Sequence, residues 1–135
     1  MRTKLIAALA GLLLVAAASA GAHHSFAAEF DVNKPVTLRG KLTKAEWINP
    51  HSWLYIDVTG ADGKVTNWAV ELGPPNALLR RGWKMSQMPI GTEITIEGYQ
   101  AKNGKEFANA KDITLPDGTK FFVGSSGPGA PSDGR

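Results

Sequence analysis

Along the middle of the chain, apolar and polar residues alternate with a period of two. Val36, Leu38, Gly40 and Leu42 interleave with Thr37, Arg39, Lys41 and Thr43, the pattern of a strand with one face buried and one in water. The phase reverses at Lys44, where Ala45, Trp47 and Ile48 take over, which predicts a bulge or a strand end at that point. A second run places Leu54, Ile56 and Val58 on one face and Trp53, Tyr55 and Asp57 on the other. Asp62-Gly63 then signals a hairpin into a third strand over Val65 to Leu72, with Trp68, Val70 and Leu72 sharing a face. After Gly73-Pro74-Pro75, the segment Asn76 to Arg81 has the composition of a short helix that Gly82 terminates; Leu78, Leu79 and Trp83 would form its buried side. Ile94, Ile96 and Gly98 mark a fourth strand, Ala108 to Leu115 a fifth, and Phe121 to Val123 a short edge.

This order predicts an all-β fold with small α content: an OB-like five-stranded barrel with one short helix between strands 3 and 4. Gly40 and Gly98 fit a strongly coiled barrel because a Cβ there would crowd the neighbouring strand. A small open β-sandwich is the other arrangement the pattern allows. The domain is expected over residues 23–123. Residues 124–135, rich in Gly, Ser and Pro, read as a disordered tail.

The first 22 residues read as a signal peptide. Arg2 and Lys4 precede Leu5 to Ala18, a run without a polar side chain, and small residues follow that a signal peptidase accepts, with cleavage after Ala20 or Ala22. As a helix the apolar run would reach only ~21 Å, short of a hydrocarbon core of ~30 Å, so the expectation is export to the periplasm or medium with no membrane span after cleavage. Cleavage removes Arg2 and Lys4, leaving 13 basic against 12 acidic side chains. Nucleic acid is thereby an unexpected partner, since counterion displacement needs clustered cations and only Arg80, Arg81 and Lys84 form a group. With 135 residues and no Cys, the chain is one domain without disulfides or thiolate metal sites.

No P-loop, GxGxxG, HExxH or GxSxG motif is present, and no nucleotide or flavin cofactor is indicated. Asp62-Gly63 does not extend into a calcium loop, because Val58, Gly60 and Ala69 fall where oxygen ligands belong. The remaining candidates are His23, His24 and His51. Cleavage after Ala20 gives Gly21-Ala22-His23, whose amine, amides and imidazole suit a tetragonal Cu(II) or Ni(II) site. Cleavage after Ala22 makes His23 the first residue, a chelating amine and ring that His24 or His51 would complete. Glu29 and Asp31 could lend oxygens. The plainer readings are adventitious binding at His23 and His24, a loop-holding hydrogen bond at His51, and solvated carboxylates. Trp53 and Tyr55, two residues apart on the polar face of their strand, form a candidate stacking platform of the kind OB-type surfaces use; the plainer reading packs them under the helix or the amino-terminal segment.

The stretches Ala22-His23-His24-Ser25-Phe26, Trp47-Ile48-Asn49-Pro50-His51 and Pro75-Asn76-Ala77-Leu78-Leu79-Arg80-Arg81-Gly82-Trp83 resemble a family of exported Gram-negative bacterial proteins known only as domain of unknown function 6152. The likeness runs from about Ala22 to Val123 and implies export and one compact β-rich domain, with no catalytic residue to carry across. From the residues themselves, the expectation is an exported non-catalytic binding module that takes a transition metal, copper foremost, through His23, His24 and His51. The alternative is a cell-envelope module recognising a glycan, peptide or protein through the Trp53 and Tyr55 face. A copper enzyme doing redox chemistry is a third.

Overall fold

Residues 25–125 and 129–132 are described by the computed structural model. The expected signal peptide and both amino-terminal histidines lie outside them. The alternating segments become six strands: β1 (Phe30–Glu46), β2 (Trp53–Thr59), β3 (Val65–Glu71), β4 (Glu93–Ala101), β5 (Phe107–Thr114) and β6 (Lys120–Phe122). A helical turn, α1 (Phe26–Glu29), precedes them; helix α2 (Pro75–Arg80) and a 3-10 turn (Met85–Gln87) lie between β3 and β4.

The strands form one sheet in the order β3-β2-β1-β4-β5-β6, antiparallel throughout except that β3 also pairs in parallel with β5. That pairing closes β1, β2, β3, β5 and β4 into a ring. Apolar residues of period two fill its interior, with Leu38, Leu42, Leu54, Ile56, Val70, Ile94, Ile96, Ala108, Ala110 and Ile113 all buried. Leu78, Trp83 and Met88 join the same core from the connection between β3 and β4. The two strand glycines sit at close approaches: a Cβ on Gly40 would meet the Asp57 carbonyl oxygen at 2.3 Å, and one on Gly98 the Asn109 carbonyl oxygen at 2.2 Å.

The phase reversal in β1 is a bulge. Its pairing with β2 passes from Leu42 opposite Ile56 to Lys44 opposite Tyr55, leaving Thr43 as the extra residue. Three expectations change. β1 begins at Phe30 rather than Val36: Phe30 to Asn33 keep the alternation, but Lys34 and Pro35 interrupt it, and residues 32–35 are all exposed. Leu79 is 46% exposed, since the six-residue helix buries Pro75 and Leu78, three apart on one face, and leaves Leu79 off that face. The packed domain continues past the expected start of the tail: Gly124 and Ser125 are buried, with the Gly124 carbonyl accepting from Arg81 Nη1 at 3.1 Å.

Outside the ring, Phe26, Phe30 and Ala101 form a second small core with Tyr99, Phe107 and Ala130. The segments before β1 and after β6 therefore meet on one outer face of the sheet, beside the site described next.

Candidate functional site

His51 stands on the loop from β1 to β2, after a cis Asn49–Pro50 peptide. The following residue fixes the loop to the end of β3, where the Ser52 N–H donates to the Gly73 carbonyl at 3.1 Å and the Leu72 N–H donates to the Ser52 carbonyl at 2.8 Å. This brings the His51 ring to Glu71, the last residue of β3. Nδ1 of His51 lies against Oε1 of Glu71, and Glu71 is only 7% exposed.

Strand register explains why Glu71 is there. It lies opposite Trp53 on β2 and opposite Asn109 on β5, and side chains directly across a ladder share a face. Val70 points into the ring core, so Glu71 points outward with Trp53 and Asn109. Asn109 is buried, and its Nδ2 stands 3.4 Å from Glu71 Oε1 and 3.1 Å from Ser125 Oγ. Phe107, two residues earlier on β5, stacks on Trp53 with centroids 5.5 Å apart and planes at 16°.

These groups surround a cavity of about 260 Å³, lined by Glu29 of α1, residues 48–51 of the loop, Trp53, Glu71 and Phe107. The basic form of His51 is favoured there. Burial holds its imidazole below the ordinary range, against the opposing pull of the Glu29 charge and a backbone hydrogen bond with Leu72. The cavity thus holds an imidazole set against the buried side chain of Glu71, with Glu29 on the rim.

The expected aromatic platform separates into two environments. Trp53 is a wall of the cavity, whereas the Tyr55 hydroxyl donates to Glu46 Oε2 at 3.2 Å and Lys44 Nζ lies 5.0 Å from the centre of its ring. Burial first, then the Glu46 hydrogen bond, pushes the Tyr55 hydroxyl above its usual range. Glu29 borders the cavity, while Asp31 Oδ1 accepts from the Asn33 N–H at 2.9 Å at the exposed start of β1. Asp62 likewise serves its turn, accepting from the Lys64 N–H at 3.0 Å. His23 and His24 lie outside the described residues; the description opens at Ser25, one residue after His24 and four before Glu29. Among the described residues, no group of three or more His, Cys, Asp or Glu is gathered so as to hold a metal ion. A wider open groove of about 530 Å³ across β1, the end of β2 and the starts of β3 and β4 is lined by charges of both signs, including the Arg39–Glu93 ion pair, and reads as a solvated face.

Glu71, Asn109 and Phe107 are the site residues that sequence reasoning missed. Glu71 falls in phase as an outward-facing strand residue, and nothing local in the sequence says that β5 will lie beside it. The only available hint is polarity at the end of an apolar strand.

A family model described as a family of unknown function (DUF6152) matches residues 10–110. Neither the curated proteins nor the solved structures contain a match to the chain.

Proposed function

As the chain belongs to this family of unknown function, which assigns no activity, we propose its function from the site itself: an exported, non-catalytic module that binds a transition metal, Cu(II) foremost. The observation that carries the reading is the convergence of His51, Glu71 and Glu29 on one cavity, directly beside the point where the chain arrives from His23 and His24. Nδ1 of His51 is shut off from solvent against Glu71, so Nε2 is the nitrogen offered to a ligand. Metal-bound histidines commonly present their second nitrogen to a carboxylate in this way, which fixes the ring and raises its basicity. His51 alone is too few donors; His23, His24 and the terminal amine released by cleavage supply the rest, and Glu29 an oxygen.

An OB-type arrangement suits this use. Supporting it are the ring order closed by the parallel β3–β5 pair and the placement of α2 between β3 and β4. In such folds ligands gather where the first and fourth strand connections meet, and here the cavity lies between the β1–β2 loop and the start of β5.

Cu(II) titration of the protein isolated from the cell, read by Trp fluorescence and electron paramagnetic resonance, is the test. Trp53 lines the cavity, so binding should quench emission. His51→Ala should weaken affinity by about tenfold or more, and acetylating the terminal amine should do likewise. Affinity unchanged by both treatments would overturn the reading.

The parallel stacking of Trp53 on Phe107 favours a second reading, an envelope module that takes a planar group of a glycan, peptide or protein against that wall. Trp53→Ala would then abolish binding of cell-wall fragments while leaving Cu(II) affinity intact.

A further inference from the structure

We propose that Asn109 is a positioning residue that holds the Glu71 carboxylate against His51, and that Ser125 ties it to the carboxy-terminal segment. The proposal rests on the metal-binding reading for its use, though not for its geometry. Glu71 Oε1 is the shared atom: it faces His51 Nδ1 on one side and Asn109 Nδ2, at 3.4 Å, on the other.

The amide's orientation follows from chemistry, because only an N–H can face a carboxylate oxygen. With Nδ2 turned to Glu71 and Ser125, Asn109 Oδ1 is buried without a partner among the described residues. An unpartnered buried carbonyl is less favourable than an apolar group of similar shape. Packing alone therefore does not call for an amide at this point, whereas an NH2 group that faces the Glu71 carboxylate and the Ser125 hydroxyl at once does.

The segment after β6 makes this anchor rigid. The Gly73 N–H donates to the Val123 carbonyl at 2.9 Å, and Arg81 donates to the Gly124 carbonyl while its guanidinium lies 4.7 Å from the centre of the Phe122 ring. Ser125 is thus held from the ends of β3 and α2, and Asn109 is held from Ser125. Residues that never reach the cavity would set the direction in which the imidazole points.

The measurement is the tautomer of His51 in the metal-free, full-length ¹⁵N-labelled protein at neutral pH, with Cu(II) affinity measured in parallel. Wild type should show chiefly the Nδ1–H form. Asn109→Ala should move the tautomer ratio about fivefold towards Nε2–H and weaken Cu(II) binding about tenfold. Ser125→Ala, a milder change that serves if Asn109→Ala does not fold, should move the ratio in the same direction by about twofold. A mainly Nε2–H wild type, or a ratio unmoved in a folded variant, would overturn the inference. If His51→Ala leaves Cu(II) affinity intact while the tautomer still responds to Asn109→Ala, the metal reading fails and the positioning role stands.

Discussion

Gly40 and Gly98 are sequence features whose meaning depends on a neighbouring strand. Each faces a carbonyl oxygen of that strand at a distance no Cβ tolerates, so the ring can be this tight only where the side chain is missing. Gly40→Ala should destabilise the fold by about 1–3 kcal/mol through forced backbone movement, seen as a lower urea midpoint; an unchanged midpoint would contradict the close approach. His51 acts at the same scale in the opposite way, since it is a group whose burial disfavours its charge. Its folded pKa lies below the unfolded one, so the unfolded chain takes up the proton first as acid is added. The resulting stability is complete above about pH 6.5 and is lost as pH falls towards the folded pKa. His51→Gln should flatten that part of the urea stability profile between neutral and mildly acidic pH, and a slope retained in the variant would assign it to other groups.

Helix α2 shows how far a local pattern specifies an element. Gly82 has φ of +85°, its N–H donates to the Leu79 carbonyl at 3.0 Å, and the Trp83 N–H donates to the Leu78 carbonyl at 3.1 Å. This paired ending turns Trp83 back into the core, where it is fully buried. Gly82→Ala should cost about 1–2 kcal/mol by thermal or urea unfolding, since an L-residue resists that conformation. Such short-range signals were legible in the sequence: the helix end, the bulge after Leu42, and the alternation of β2 and β4. What was not legible depends on contacts between distant segments. The first stretch of β1 is mostly exposed, is interrupted by Lys34 and Pro35, and is held by pairing to the far end of β4. Glu71 and Asn109 meet only because β3 and β5 close the ring in parallel. His51 was a candidate from its loop position, but its carboxylate partner belongs to this second kind of information.

At the scale of the whole molecule, the ring supplies rigidity and the two flanking segments complete the site. α1 brings Glu29 to the cavity, and the residues after β6 reach Glu71 through Ser125 and Asn109. A ligand held between these parts binds the folded chain and not the unfolded one, so it must raise the apparent stability. At a free Cu(II) concentration about a hundred times its dissociation constant, the gain should be about 2.7 kcal/mol. It should disappear on adding a chelator and be largely absent in His51→Ala. A chain beginning at Ser25 makes the comparison sharper, because it keeps every described contact around His51 while lacking His23, His24 and the amine before them. If that shorter chain, folded by circular dichroism, gains as much from Cu(II) as the chain isolated from the cell, the metal is held without His23 and His24. If it gains much less, the amino-terminal donors and His51 act on one ion, and the sheet serves to bring them together.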